Sequence, residues 1–298
     1  MAAADLPVLV IAPDRSVLKR IQALWRYREL LMGLVRKELK VKYKDSSLGF
    51  MWSLLNPAMY LVVFYVVFQI ILGSGIPFFA IYLLSGLLAW NLFNGSVTGA
   101  TGSIVGNGSL VNKVYFPREI LPLATVGANL VHFTLQTGVL LAGLARMRYD
   151  VALEYLWLML PALVVLLILA AALSILFSAL NVYARDLQHL LELVMLAWFW
   201  MTPIVYAWSL PAGQLEERGL PSGVSLLNPM TPIVIALQRG IWGDDGFEVD
   251  GVVTQVLPDG GPLWYLRNLA VVGVVASVLL VIAMKVFGRL ESNFAEEL

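Results

Sequence analysis

The feature that most constrains this chain is a series of six apolar stretches, each close in length to the hydrocarbon core of a bilayer. They cover residues 53–72, 77–100, 120–145, 155–180, 191–208 and 263–287. A helix needs roughly 20 mainly apolar residues to cross a core about 30 Å thick. Charged residues make up only 13% of the 298 residues, well below the roughly 25% of soluble domains. The sequence therefore predicts an all-α integral membrane protein with six transmembrane helices.

The distribution of basic residues predicts the orientation of the chain. Ten of the twenty Lys and Arg residues precede Trp52, although the formal net charge is zero. With the N-terminus inside, fifteen Lys and Arg residues fall in cytoplasmic segments and five in external ones. Because cytoplasmic loops carry the excess of Lys and Arg, we expect both termini inside. We also expect insertion through the first span, since the apolar run 6–12 lacks the features of a cleaved signal peptide.

Residues 1–52 are predicted to form a cytoplasmic segment that contains an amphipathic interface helix. Between about residues 17 and 45, apolar side chains recur at helical spacing and basic side chains occupy the other faces. Such a helix is typical of the anionic inner headgroup region. The basic residues predicted to contact lipid headgroups are Arg36, Lys37, Lys40, Lys42 and Lys44. The alternative is that they are solvated positive-inside anchors.

The cytoplasmic segment 107–119 is predicted to be a lever that inserts into a partner protein. Its apolar residues form one face of a short helix, Phe116 and Pro117 make a corner, and Glu119 lies near the positive end of the third span. The residues predicted to couple to the partner are Leu110, Val111, Lys113, Tyr115, Phe116, Pro117, Arg118 and Glu119. An ordinary capped loop is the alternative.

The external segment 209–262 combines an acidic part with an apolar patch over residues 229–242. The acidic residues are Asp244, Asp245, Glu248 and Asp250. We interpret the apolar patch as a helix or hairpin that re-enters the outer leaflet under a protein cover. The string Ser-Leu-Leu-Asn-Pro occurs at 53–57 and again at 225–229. Because Asn caps helices and Pro suits their first position, each copy is predicted to begin a helix.

A polar stripe and several aromatic rings are candidates for lining a path. Asn129, His132 and Gln136 lie one turn apart on the third span, which suits either helix-to-helix hydrogen bonds or a polar wall. Most aromatic rings fit an interfacial belt or packing. A minority of rings would offer a flat apolar face to a sugar. The candidate residues for a glycan channel are Tyr60, Phe64, Trp90, His132 and Trp198.

The sequence argues against chemistry within this chain. It contains no Cys, only two His, and no Gly-Lys-Ser/Thr of a nucleotide-binding loop. We therefore assign no catalytic residue, metal ligand or bound cofactor, and we expect ATP hydrolysis to occur on a separate chain. The span interiors hold few ionisable groups, which weighs against a transporter coupled to protons or sodium.

Five ordered segments resemble the ABC-2 type permeases that export O-antigen, teichoic acid and related cell-surface polysaccharides. The resemblance covers nearly the whole chain after about Arg28, and the five segments together are more specific than any one alone. The segments are VRKELKVKYKDSSLGFMW at 35–52 with Leu55-Asn56-Pro57, LVNKVYFPRE at 110–119, NVYARD at 181–186, TPIVY at 202–206 and LNPMT at 227–231.

The resemblance implies a homodimeric six-helix permease that pairs with two ABC ATPase subunits, which bind ATP and Mg. The domains would be the N-terminal segment 1–52, a transmembrane domain 53–287 and a cytoplasmic tail 288–298. Interface, coupling and external re-entrant helices would map to about 17–45, 108–116 and 222–242. The implied substrate is a lipid-linked glycan, commonly on undecaprenyl diphosphate, moved outward across a bacterial cytoplasmic (inner) membrane. No nucleic acid is implied.

Three alternatives remain open from the sequence. An ABC-2 permease for a drug or a small lipid would share the fold. A membrane-embedded glycosyl- or acyltransferase would rely on Glu119, His132 and Glu192. A secondary transporter would work without an ATPase and would stop when the proton gradient collapses.

Overall fold

Helices make up most of the described chain. The computed structural model describes residues 17–44, 46, 49, 51–243, 247–249 and 252–298. The predicted acidic residues Asp244, Asp245 and Asp250 lie outside these residues, as does the apolar run 6–12.

Two helices replace the single interface helix that the sequence predicts over 17–45. They are α1, Val17–Arg26, and α2, Arg28–Tyr43. Tyr27 separates them with φ −93° and ψ 21°, although its backbone N–H still donates to the carbonyl of Ala23. The first apolar helix is α3, Met51–Phe64, which continues as a π-helix, Tyr65–Ile71. π-Helical turns are rare and often occur at functional sites.

The remaining elements alternate long helices with short ones. From the second span to the fifth apolar stretch they are α4 Phe79–Thr101, α5 Ser103–Gly106, α6 Gly108–Lys113, α7 Ile120–Met147, α8 Leu153–Leu156, α9 Met159–Tyr183 and α10 Leu187–Trp200. The rest are α11 Ser209–Glu217, a 3-10 turn Ser222–Leu227, α12 Met230–Ile241, β1 Phe247–Val249, β2 Val252–Thr254, α13 Pro262–Leu290, a 3-10 turn Glu291–Asn293 and α14 Phe294–Glu297. Strands β1 and β2 form an antiparallel hairpin that pairs Phe247 with Thr254.

Five helical segments of the described chain are long and apolar enough to cross a membrane. They are Met51–Ile71, Phe79–Thr101, Ile120–Met147, Leu153–Tyr183 and Pro262–Asn293. This composition and length support the predicted integral membrane protein. The fifth apolar stretch, predicted over 191–208, differs. Its helix α10 has 14 residues, about 21 Å at 1.5 Å per residue, and ends before Pro203, which has no N–H to continue the ladder.

The apolar patch predicted at 229–242 forms helix α12, which lies at the centre of the larger core cluster. Eleven of its twelve residues are buried, and α12 packs against α4 and α9. Gly86 of α4 faces it closely: a methyl group there would lie 2.9 Å from Nε2 of Gln238. The backbone N–H of Met230 donates to Oδ1 of Asn228 at 3.0 Å. The second Ser-Leu-Leu-Asn-Pro string therefore begins a helix as predicted.

The first copy of that string does not begin a helix, so this prediction is wrong. Helix α3 begins at Met51, and Pro57 lies inside it. Because Pro57 has no N–H, the carbonyl of Ser53 four residues earlier loses its helical partner. Nε2 of Gln136 on α7 donates to this carbonyl at 2.6 Å. A side chain of the predicted polar stripe thus replaces the missing backbone bond.

A second, smaller core cluster joins the N-terminal helices to the segment after α4. It contains Leu34 and Val35 of α2, Val111 and Phe116 of segment 107–119, and Phe294. Helix α2 approaches α7 so closely that a methyl group at Gly127 would lie 2.8 Å from Cγ2 of Val35. The interface helix is therefore packed on the helical bundle over this part.

We predict that Gly86→Val destabilises the protein by about 1–3 kcal/mol, the usual effect of overpacking a dense core. The added carbon atoms would meet Gln238 and also Ile204, whose Cγ2 is 3.2 Å from the built Cβ. Gly143→Val is the control, because no neighbouring atom lies within 4 Å of a Cβ at that α7 position. Thermal denaturation in detergent measures both variants. Equal midpoints for the two would contradict the packing of α12 on α4.

Candidate functional site

The predicted coupling segment is anchored by its apolar side chains. Within 107–119, helix α6 covers only Gly108–Lys113, and Val114 is already extended, with φ −129° and ψ 134°. Val111 and Phe116 are buried in the smaller core cluster, at 3% and 4% exposure. Tyr115 is 70% exposed. The segment therefore presents one aromatic ring to solvent from an otherwise held backbone.

Both ends of the coupling segment are bonded to other parts of the chain. Nζ of Lys37 on α2 donates to Oδ1 of Asn107 at 2.7 Å. Nη1 of Arg118 donates to the carbonyl of Glu291 at 2.6 Å, and the Arg118 guanidinium lies 5.8 Å from the ring centre of Phe294. The coupling segment is thus tied to the interface helix at one end and to the C-terminal residues at the other.

A buried charge cluster lies beside these contacts. Arg20 of α1 forms ion pairs with Glu119 and, at 3.0 Å, with Glu291. Burial disfavours the charged guanidinium, but attraction to the two carboxylates outweighs it and raises the pKa of Arg20. Burial and the charge of Glu291 raise the pKa of Glu119, against the attraction of Arg20. The Glu119 carboxylate therefore depends on Arg20 for its charge.

An open cavity of about 430 Å³ adjoins the charge cluster. Its walls come from α1, from the end of the coupling segment and from the residues after α13, and they carry four basic side chains and the two carboxylates of Glu119 and Glu291. The basic lining residues are Lys19, Arg20, Arg26 and Arg118. Pro117 and Tyr115 line the same cavity, whereas Leu110 is half-buried and Lys113 is exposed.

The C-terminal residues belong to this region. The sequence separates 288–298 as a tail, but Phe294 is completely buried. Its ring lies 5.5 Å from Phe287 and 6.2 Å from Tyr183, measured between ring centres. The hydroxyl of Tyr183 also donates to the carbonyl of Leu290 at 2.7 Å. The C-terminal residues are thus packed against α9 and α13 and, through Arg118, against the end of the predicted coupling segment.

Three of the five candidate path residues meet in one aromatic cavity of about 390 Å³. Tyr60, Phe64 and Trp90 line it together with Phe199. Phe64 stacks between Tyr60 and Phe199, at 5.9 Å from each ring centre, and Trp90 meets Phe199 at 5.5 Å. The other lining residues include Asn91, Asn94, Thr98, Glu192 and Trp200.

His132 lines a second, polar cavity of about 300 Å³. The Tyr43 hydroxyl lies 3.2 Å from Nδ1 of His132. Asn129 and Gln136 line the same cavity, so the stripe on α7 both makes a contact between helices and forms a polar wall. Two residues of α4, Asn91 and Asn94, line the polar and the aromatic cavities alike. The two cavities therefore adjoin along α4.

The five predicted headgroup contacts, on α2 and at its C-cap Lys44, differ in their contacts within the chain. Arg36, Lys40 and Lys44 are exposed, and Lys37 is exposed while bonding Asn107. Lys42 is exposed as well, but it also lines the polar cavity, where desolvation lowers the pKa of its ammonium group. Lys42 is thus the predicted headgroup contact that also reaches the candidate path.

Trp198 occupies a different place from the other four candidates. It lines neither of the two cavities. Its indole N–H donates to Oδ1 of Asn228 at 2.7 Å, and its ring lies 5.1 Å from Phe93. Asn228 also donates to Oγ1 of Thr202 at 3.0 Å. Trp198 thus fastens the end of α10 to the start of α12, and its role in a path stays a prediction.

Two sets of residues at these sites were not predicted from the sequence. The first set has a recognisable sequence pattern, and the second has none. Asn91, Asn94 and Thr98 recur at spacings of three and four, which places them on one face of α4. That polar stripe could have been read as a second wall. Arg20 and Glu291 carry no comparable signal, because the two residues are 271 positions apart.

Known proteins match most of the length of this chain. The ABC-2 type transporter family matches residues 29–242. An O-antigen export system permease protein of Myxococcus xanthus, RfbA, is 31% identical over 95% of this chain and all of its own length. The Klebsiella pneumoniae protein of the same name is 28% identical over 90% of this chain and 94% of its own. The polysialic acid transport protein KpsM of Escherichia coli is 27% identical over 35% of this chain and 39% of its own.

The family match covers well over half of the chain and includes α2 from its second residue, the predicted coupling segment, both cavities and helix α12. The likeness to the Myxococcus protein extends this agreement to nearly the full length. The chain belongs to the ABC-2 type transporter family.

Proposed function

We propose that this chain is the permease subunit of an ATP-driven exporter that moves a lipid-linked polysaccharide outward across a bacterial cytoplasmic membrane. The full-length likeness to O-antigen export permeases supports the proposal. The observation that carries it is the pair of adjoining cavities along α4, one aromatic and one polar. O-antigen, teichoic acid or a similar glycan would be the substrate.

The two cavities suit the surface of a sugar chain. Stacked rings offer flat apolar faces to the C–H faces of sugars, and the amides of Asn91, Asn94 and Gln136 match their hydroxyls. Among the described residues that line the aromatic cavity, Glu192 is the one with a formally charged side chain. Such a lining holds a neutral polymer weakly at many points, which permits sliding.

Two ABC ATPase subunits would supply the energy and would bind ATP and Mg. Support comes from the coupling segment, where the exposed ring of Tyr115 stands on a backbone held by Phe116 and Val111. Closure of the ATPase pair would push on this ring and move the start of α7. No cofactor would be bound by the permease itself.

Two copies of the chain would form the path. Tyr60 and Trp200 line the aromatic cavity yet are 45% and 48% exposed, so each copy contributes an open groove. The 18-residue apolar window of the first span is unburied within the chain. A second copy would cover these surfaces and close the groove.

The membrane arrangement would be six crossings with both termini inside. Helix α10 and residues 201–208 would make the fifth crossing, and α11, the 3-10 turn and α12 would form the external re-entrant part. Support comes from the excess of basic residues in the predicted inner segments. Lys40, Lys42 and Lys44 would lie at the inner headgroups, where they attract the diphosphate of the lipid carrier.

A membrane-embedded transferase is less favoured by the geometry. Its candidate residues Glu119, His132 and Glu192 line three different cavities, so the structure does not bring them to one reacting centre. An ABC-2 permease for a drug or small lipid shares the fold, and an assay of surface glycan distinguishes it.

The first prediction from the proposed function concerns coupling. Co-expressed and co-purified with the candidate ABC ATPase encoded nearest to it, the chain should stimulate ATP hydrolysis in lipid. Tyr115→Ala should lower that stimulation at least threefold without changing the thermal midpoint, because its ring is 70% exposed. Phe116→Ala should instead destabilise the chain by about 3–5 kcal/mol, since its ring is buried.

Met147→Ala is the control for Tyr115→Ala, because Met147 is also 70% exposed but lies at the other end of α7. If both exposed variants stimulate like the wild type, segment 107–119 is not the docking site. If no ATPase co-purifies and the isolated chain transports, a secondary transporter replaces the proposal.

The second prediction concerns the path. Tyr60→Ala should reduce glycan at the cell surface at least threefold, because it removes the outermost ring of the stack with Phe64 and Phe199. Met59→Ala is the control, since Met59 is exposed on the same helix but does not line the cavity. Immunoblotting of surface glycan measures both. Normal glycan export in cells lacking this chain, with altered drug or lipid export, would favour the alternative permease.

The third prediction concerns orientation, and the lack of cysteine makes it direct. A membrane-impermeant maleimide should label Arg218→Cys in intact spheroplasts, and it should label Lys40→Cys only after lysis. Both positions are exposed. The reverse labelling pattern would show that the N-terminus lies outside.

A further inference from the structure

One guanidinium holds three distant parts of the chain together. Arg20 lies on α1, Glu119 immediately precedes α7, and Glu291 immediately follows α13. The separations along the sequence are 99 and 271 residues. The side chains of Arg20, Glu119 and Glu291 are 9%, 1% and 14% exposed, so water competes little for their charges. We call these three residues the Arg20 cluster.

A glycine makes room for the Arg20 cluster. Gly288 lies three residues before Glu291, on the same side of the last turn of α13. A methyl group at Gly288 would lie 2.7 Å from Nη2 of Arg20 and 2.9 Å from its Cζ. The guanidinium therefore rests on the helix backbone, in space that any larger residue would occupy. The position of Arg20 is thus set by shape as well as by charge.

The Arg20 cluster connects directly with the coupling segment. Glu119 is the last residue of that segment, and the preceding Arg118 binds the backbone of Glu291 and lies over Phe294. Two consecutive residues of the segment are therefore linked to the same C-terminal turn, Arg118 directly and Glu119 through Arg20. Any force on Tyr115 reaches Arg118 and Glu119 within four residues.

We propose that Arg20 is a positioning residue for export, which makes α1, the end of the coupling segment and the end of α13 move as one body. The inference rests on the proposed function, because it concerns how ATPase motion reaches the permease. It assigns the C-terminal residues to the coupling machinery. Without Arg20, the coupling segment would still contact the ATPase but would move independently of the last span.

The test compares two variants that disturb the Arg20 cluster differently, each in the complex with its ATPase. Arg20→Gln removes the charge, whereas Gly288→Ala keeps every charge and displaces the guanidinium. We expect both to bind ATPase in wild-type amounts and to hydrolyse ATP at no less than half the wild-type rate. Glycan exported per ATP should fall at least fivefold for Arg20→Gln and at least twofold for Gly288→Ala.

Matched controls are available in the chain. Arg26→Gln removes a basic residue from the same helix α1 and from the same cavity wall. Gly143→Ala adds a methyl group where no neighbouring atom lies within 4 Å. Both controls should export within twofold of the wild type. If Arg20→Gln fails to fold, Gly288→Ala decides the export test.

A distance measurement tests the common motion directly. Spin labels at Ala23→Cys on α1 and Ser292→Cys after α13 would both line the cavity beside the cluster, in a chain without native cysteine. The wild-type complex should give one narrow distance distribution, unchanged between nucleotide-free and ATP-trapped states. The same labels in the Gly288→Ala background should give a broader one.

The outcomes separate the two proposals. A distance that changes on ATP trapping, or normal export per ATP in both cluster variants, overturns the inference and leaves the proposed function standing. If the wild-type chain neither binds an ATPase nor exports a glycan, the proposed function fails and the inference fails with it.

Discussion

Proline-disrupted backbone is the constraint on which much of this structure depends. In a bilayer, a carbonyl that loses its helical partner has no water to replace it. Gln136 donates to such a carbonyl, that of Ser53, which Pro57 frees inside α3. Between helices, Trp242, Gln238 and Tyr265 donate to the carbonyls of three further prolines, Pro77, Pro203 and Pro258. Each donor comes from a different segment than the break, except Tyr265, which lies seven residues beyond it. The breaks thus become points where helices are joined.

This constraint also shapes the candidate path. Gln136 is needed for the break at Pro57, and its position brings the polar stripe of α7 against α3. The polar cavity lies at this junction, with His132 and Tyr43 on its walls. A polar group inside a membrane bundle is expensive unless it is paired. Here the same groups pair structurally and line a cavity, so the two interpretations of the stripe are compatible.

Much of the fold follows from the sequence because apolar length is a strong signal. It predicts the five long helices and the apolar patch that forms α12. Apolar length alone does not reveal that a helix ends near Pro203, so the predicted fifth span extends beyond the end of α10. Local capping rules also place a helix start at Pro57. They cannot show that Gln136, on another helix, donates a hydrogen bond to the carbonyl that Pro57 leaves without a helical partner. Errors arise where a distant side chain overrides a local preference.

The same distinction applies to the candidate sites. Three rings of the aromatic cavity are predictable from the sequence, because they are conspicuous aromatic residues in apolar spans. The Arg20 cluster is not, because any of several Arg residues could pair with Glu119 over 99 positions, and only the fold decides that choice.

The distribution of burial explains why the path lies where it does. Helix α4 packs against α7, α9 and α12, and 72% of its 18-residue apolar window is buried. In the first span, none of the corresponding window is buried. One wall of the aromatic cavity, with Trp90, Asn91 and Asn94, is therefore fixed in the core. The opposite wall, with Tyr60 and Phe64, stands on α3, which has few partners within the chain. A groove between a fixed wall and a lightly held one can widen without disrupting the core, since only the contacts of α3 and α10 must change.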